Sequence, residues 1–176
     1  VTVMENLTQD AYSMFPQSIP PPEPDFKPNL RLADSPRTLL GLKLIDFLAK
    51  LLQCLPTGVS YADMKLENIG YCSIDGEFRL LDIDSFNTNI ATWGYLPLRG
   101  RKRPDPALAT AYAFGITAAS VFFNLPRYFD YTRFRPEKCI AALRDTILLQ
   151  ISMDDRFETM RRLVGNALAV LEGRAL

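Results

Sequence analysis

A mainly α-helical fold with one small β-hairpin is what this 176-residue sequence predicts. Three observations carry that expectation. Apolar residues recur at three- and four-residue steps between Ser35 and Leu55. Residues 107–125 run nineteen positions without a charge. Between these stretches, "IGYCSI" and "EFRLLDID" flank Asp75-Gly76, a strong turn pair for a hairpin. Few strands followed by several helices make the β element minor.

Taken in order, residues 1–8 open with a short β-type run, "VTVMENL", which needs a partner sheet. Residues 9–34 form a proline-rich connection. Residues 11–15 allow one helical turn there, and the prolines crowding Pro16 to Pro28 bar regular structure. The first long helix follows. Asp34 or Ser35 caps it, Pro36 sits in its first turn, and Pro56 closes it. Leu40, Leu44, Phe47, Leu48, Leu51 and Leu55 place one face in the core. Thr57-Gly58 ends the helix, and a loop then leads into the hairpin, so that residues 35–86 read as one unit.

Residues 87–106 are irregular. Their basic run, Arg99, Arg101, Lys102 and Arg103, reads as a solvated loop, although it could attract acidic or phosphate groups. Residues 107–176 form a helical subdomain. It begins with the apolar helix and continues through the aromatic segment "NLPRYFDYTRF". A helix from about Pro136 to Ile151 and a last one from about Phe157 to Leu171 complete it. The apolar helix nearly has the length of a membrane span. Ala, Thr, Ser, Gly and Asn dilute it, and basic residues flank both ends, so it reads as the central helix of a soluble core.

Twenty basic and twenty acidic residues cancel, so no global field calls for nucleic acid or an anionic membrane. Cys54, Cys72 and Cys139 are odd in number and form no CxxC. They read as buried small apolar residues in a reducing, cytoplasmic setting. The chain has no histidine. That excludes a Ser-His or Cys-His nucleophile pair and an HExxH metal site within it. Its chemistry must rest on carboxylates, amides, lysines and an oxygen-liganded metal, magnesium or calcium. No signal peptide is visible and the first residue is not Met, so a processed or excised fragment is expected.

The chemically dense stretch is "YADMKLENIGY", residues 61–71, with Asp63, Lys65, Glu67 and Asn68. A helix-to-loop transition presents Asp63, and the second hairpin strand ends by presenting Asp82. Asn68 lies just before the first strand, so hairpin geometry returns it towards Asp82. An amide oxygen and a carboxylate converging in this way can hold magnesium. A nearby carboxylate can orient a hydroxyl, and Lys65 can neutralise a transferring phosphoryl group. The plain alternative is a turn cap at Asp63, solvated Lys65 and Glu67, and a hairpin start at Asn68.

In this series the sequence resembles the protein kinases. "DMKLEN" satisfies the family's D-x-K-x-x-N catalytic loop at Asp63, Lys65 and Asn68, and "RLLDID" stands in the place of its D-F-G. "VTVMENL" looks like the hinge, and "ATWGYLP" is similar to the T-x-x-Y segment ending the activation loop. "AYAFGIT" resembles the start of the buried central helix, and "SMDDRFETM" the D-P-x-x-R motif through Arg156. The resemblance implies the C-terminal lobe of a kinase-like fold, using ATP and Mg2+. Asp63 would align the substrate hydroxyl and Lys65 would stabilise the transferring phosphoryl. Asn68 and Asp82 would ligate the metal, with Asp84 able to join or replace Asp82. Met4 would be the gatekeeper, Glu5 and Leu7 would bind adenine through their backbone, and Gly70 stands at the adenine floor, where the family usually has a larger residue.

The departures are specific. The resemblance begins at the hinge, so the small N-terminal lobe, with its Gly-rich loop and strand lysine, is expected to be missing or supplied by a partner chain. Tyr61-Ala62 replaces His-Arg, and Tyr61 is expected to pack beneath Ile83. Ile83-Asp84 replaces Phe-Gly. Thr110 replaces an Asp, which implies a weaker anchor for the catalytic loop. No Glu follows "GYLP", so Arg156 needs another acceptor. The expectation is therefore an atypical kinase acting on a protein hydroxyl of the Ser/Thr type. The alternatives are a pseudokinase that binds a partner, or a kinase-like phosphotransferase for small molecules.

Overall fold

The computed structural model describes residues 9–15, 35–92, 95, 105–122, 162, 165 and 166. The hinge-like run with Met4, Glu5 and Leu7 lies outside the described residues. So do most of the proline-rich connection, the basic run 99–103, the expected helix 136–151 and Arg156. Of the expected last helix, Arg162, Gly165 and Asn166 are described and have helical backbone.

The described elements run β1 (Gln9–Asp10), α1 (Ala11–Met14), α2 (Ser35–Cys54), β2 (Ile69–Cys72), β3 (Glu77–Leu80) and α3 (Pro106–Phe122). Short 3-10 turns at Leu66–Asn68 and Ile83–Ser85 bracket the hairpin. α2 forms where the apolar spacing places it. Leu44 and Leu48 are fully buried, and Leu40, Phe47, Leu51 and Leu55 pack against the same core. Beyond its end, Val59 N–H donates to Pro56 C=O at 3.0 Å, and Gly58 supplies the positive φ of +84° in that turn. This turn redirects the chain from α2 into the motif loop.

The sheet is larger than a hairpin. β2 pairs antiparallel with β3, Ile69 opposite Leu80 and Cys72 opposite Glu77, and β1 pairs antiparallel with β2 on the other edge, Asp10 opposite Gly70. Gln9 and Asp10, expected within an irregular connection, are thus a third strand. Asp10 then caps α1, its Oδ1 accepting from Ser13 N–H at 2.7 Å. The turn at the hairpin tip also differs from the two-residue type that Asp75-Gly76 signals. Four residues, Ser73 to Gly76, make it, and Gly76 N–H donates to Cys72 C=O at 2.8 Å with Gly76 at φ +73°. Asp75 stiffens the tip by accepting from Glu77 N–H at 3.0 Å and pairing with Arg79. Desolvation opposes ionisation of Asp75, but its hydrogen bonds to Arg79, Glu77 N–H and Cys72 outweigh it and hold the carboxyl below its ordinary range.

α3 packs against α2 and is sunk in the core. Seven consecutive residues, Tyr112 to Ala118, are buried, so about two turns are covered on every side. Among the described residues no helix is long and apolar enough to cross a membrane. Through these buried residues α3 is a core helix, and its buried Thr110, Thr117 and Ser120 are polar groups that such a helix must satisfy internally.

Candidate active site

The motif loop emerges from the turn at Gly58 and lies under α3 and beside the hairpin, held by hydrogen bonds from distant parts of the chain. Ser60 is held by Asn87 through two bonds: Ser60 N–H donates to Asn87 Oδ1 at 2.9 Å, and Asn87 N–H donates to Ser60 C=O at 2.8 Å. Asn87 adopts φ +55° to do so, a left-handed conformation that asparagine tolerates better than most residues. Tyr61 N–H donates to Thr110 Oγ1 at 3.0 Å, and Thr117 Oγ1 donates to Met64 C=O at 3.0 Å. Thr110 thus anchors the loop through a neutral hydroxyl, one hydrogen bond where the resemblance implies a carboxylate.

Asp63 sits at the centre, 4% exposed. Its Oδ1 accepts from Thr92 Oγ1 at 2.7 Å, and its Oδ2 accepts from Lys65 Nζ at 3.0 Å and Asn68 Nδ2 at 3.1 Å. Lys65 Nζ also donates to Thr92 Oγ1 at 2.7 Å, closing a triangle of acid, amine and hydroxyl. Asn68 Nδ2 donates to Asp63 C=O at 2.8 Å as well. Burying a carboxylate is costly unless it is paired and hydrogen-bonded, and here three donors meet that requirement.

Tyr61 links this cluster to Asp82. Its hydroxyl donates to Asp82 C=O at 2.7 Å and receives a long contact from Asn68 Nδ2 at 3.5 Å. Burial pushes the Tyr61 phenol well above the usual tyrosine range. The Asn68 hydrogen bond pulls the other way, and the charges of Asp82 and Asp63 add to the rise. The ring packs on Phe86, centroids 4.7 Å apart, whereas Ile83, its expected cover, is 64% exposed. Phe86 lies on the core side of the 3-10 turn and so takes the place expected of Ile83.

Asp63, Lys65 and Asn68 therefore meet in one cluster, and Asp82 joins through its backbone. The Asp82 carboxylate turns to Ser85, whose Oγ donates to Asp82 Oδ2 at 2.5 Å. Asp84 is exposed on the 3-10 turn. Gly70 lies buried in the middle strand, between Asp10 and Arg79. Among the described residues no three Asp, Glu or Cys side chains gather as a metal cluster. Asn68 Oδ1 and Asp82 Oδ1 carry no hydrogen bond among the described residues, and two such oxygens suit a hard cation such as magnesium.

Thr92, Asn87, Thr117 and Ser85 are site residues to which the sequence assigned no role. For Thr117 a signal existed, because a hydroxyl in a fully buried apolar helix demands a partner. Thr92 stood in a segment with a motif resemblance, but nothing local shows which way its hydroxyl turns. Comparison of the chain with family models, with curated proteins and with solved structures gave no match.

Proposed function

We propose that this chain is the larger lobe of an atypical protein kinase-like phosphotransferase, with Asp63 as the residue that aligns and deprotonates a substrate hydroxyl. The observation that carries the reading is the Asp63–Lys65–Asn68–Thr92 cluster. Asp63 Oδ1 accepts one hydrogen bond and so keeps a lone pair for an incoming hydroxyl. The Lys65 ammonium, 3.0 Å from the same carboxylate, stands beside any oxygen that Asp63 orients and can offset charge on a transferred phosphoryl. In the transfer, the hydroxyl oxygen bonds to phosphorus, its proton passes to Asp63, and the bond to the diphosphate leaving group breaks. Asn68 and Asp82 would hold magnesium, which offsets the charge of the nucleotide phosphates when bound.

The sequence contains neither a Gly-rich phosphate loop nor a strand lysine of the kind this chemistry uses. On this reading those parts come from a further segment or a partner chain, and the 176 residues alone turn over ATP poorly. A protein hydroxyl is the favoured acceptor, because Lys65 stands two residues after Asp63 as in the protein-kinase pattern. One observation favours a second reading, a pseudokinase that binds a partner: Ser85 already occupies one oxygen of Asp82.

The deciding experiment is magnesium-dependent nucleotide binding, measured on the natural protein that contains this chain. Binding that requires magnesium and disappears in Asp82→Ala supports the catalytic reading. Magnesium-dependent binding left unchanged by Asp82→Ala removes the assigned metal role. Absence of nucleotide binding, with the fold intact, leaves the binding-module reading.

A further inference from the structure

Asp82 is held at both ends. Its carbonyl accepts from the Tyr61 hydroxyl at 2.7 Å, and its carboxylate Oδ2 accepts from Ser85 Oγ at 2.5 Å. The second contact has the length of a charge-assisted bond between a hydroxyl and a carboxylate. Its position is unusual as well. Asp82 stands at the N-cap of the 3-10 turn Ile83–Ser85, where a carboxylate ordinarily accepts a backbone N–H of the first turn. No such cap bond forms, and the Ser85 side chain takes the oxygen instead.

Ser85 has little freedom to leave. It is 2% exposed, and its carbonyl accepts from Thr88 Oγ1 at 2.9 Å. Burial denies its hydroxyl a water in exchange for the carboxylate. Asp82 Oδ2 is therefore engaged inside the protein, whereas Oδ1 has no hydrogen bond among the described residues. Asn68 is fixed in a matching way. Its Nδ2 donates to Asp63 C=O at 2.8 Å and to Asp63 Oδ2 at 3.1 Å, which leaves Oδ1 as the oxygen it can offer.

We infer that Ser85 limits Asp82 to a single metal-binding oxygen, so that Asp82 ligates a cation through Oδ1 alone. The inference rests on the reading of Asn68 and Asp82 as metal ligands. A cation that takes one oxygen from a carboxylate and completes its shell with water and phosphate meets no obstacle, and magnesium is of this kind. Calcium, which often takes both oxygens of one carboxylate, must first break the Ser85 bond. Calcium thus reports whether Oδ2 is open. The same restriction denies Oδ2 to a second cation bridged by this carboxylate.

The experiment is cation binding without nucleotide, on the natural protein that contains this chain, as wild type, Ser85→Ala and Ser85→Thr. Bound manganese, read by electron paramagnetic resonance, is displaced in turn by magnesium and by calcium. Ser85→Ala removes a hydrogen bond to a charged group, so calcium affinity rises about tenfold while magnesium affinity stays within about threefold. Ser85→Thr keeps the hydroxyl and with it the wild-type ratio of the two affinities. Should its added methyl group prevent folding, Ser85→Ala decides alone. An unchanged ratio in folded Ser85→Ala overturns the inference. So does manganese that wild type fails to bind, or that Asp82→Ala binds equally well. Failure to bind nucleotide would remove the phosphotransferase reading and leave the ratio of cation affinities as it is.

Discussion

Thr92 Oγ1 donates to Asp63 Oδ1 at 2.7 Å across 29 residues of chain, and the same oxygen accepts from Lys65 Nζ at 2.7 Å. One hydroxyl thus ties the segment after the hairpin to both charged groups of the motif loop. Without it, a carboxylate only 4% exposed loses one of its three donors, and Lys65 loses an acceptor. Thr92→Val is expected to cost about 1.5–3 kcal/mol, the range for a hydrogen bond to a charged group, and Thr92→Ser to recover most of it. Denaturant midpoints at constant m-value measure this. Equal stability of the valine and serine variants would mean that Thr92 contributes by packing alone.

The Asp63–Lys65 pair is set apart from surface ion pairs by burial, its side chains being 5% and 22% exposed. Exposed pairs contribute little and fade in salt; this one is screened much less. A double-mutant cycle of Asp63→Asn and Lys65→Met is expected to give a coupling energy of about 1–3 kcal/mol. The value should change little when salt is raised, because solvent ions do not enter between the two groups. A coupling that vanishes in high salt would place the pair at the surface.

The extent of α2 could be read from sequence because its signals agree: caps, a closing proline and a continuous apolar face. Asp63, Lys65 and Asn68 were also legible as a group, since they fall within one short stretch and the turn at Gly58 throws them to one side. What could not be read is most of the partners supplied from afar. β1 contains only Gln9 and Asp10 and shows no strand periodicity; it exists because the exposed edge of β2 has backbone groups to pair. Thr92 and Thr117 act through contacts 29 and 53 residues distant in the chain, whereas the anchoring place of Thr110, 49 residues from Tyr61, was implied by the motif series. No local pattern encodes such contacts. The partner of the Asp82 side chain was not legible for a related reason: the sequence places the Asp82 backbone just after β3, but does not show that Ser85, three residues on, donates to one oxygen of its carboxylate.

Asn87 combines a left-handed backbone, φ +55°, with a side chain that accepts from Ser60 N–H. The two roles separate by substitution. Asn87→Gly relieves the conformation but deletes the acceptor, Asn87→Asp keeps the acceptor, and Asn87→Ala loses the acceptor while keeping a strained Cβ. The expected order of stability is Asn, then Asp, then Gly, then Ala, with alanine about 1–3 kcal/mol below wild type. Thermal melts of the four proteins test it. Alanine equal to asparagine would show that the turn relaxes without cost.

Tyr61 gives the chain a signature at alkaline pH. Burial raises its phenol above the ordinary tyrosine value, so the protonated form favours the folded state. An unfolded tyrosine ionises near pH 10, so the contribution of Tyr61 is complete below about pH 10 and drains away as pH rises through the folded value. Tyr61→Phe removes this titration together with the hydrogen bond to Asp82 C=O. The stability gap between wild type and Tyr61→Phe should then be flat from about pH 7 to 9 and narrow above about pH 10. In parallel, a spectrophotometric titration of the folded chain should show one late-ionising phenol that the variant lacks. A gap that stays constant through the alkaline range would mean that the Tyr61 hydroxyl reaches solvent, and that the link from Asn68 to Asp82 is open to water.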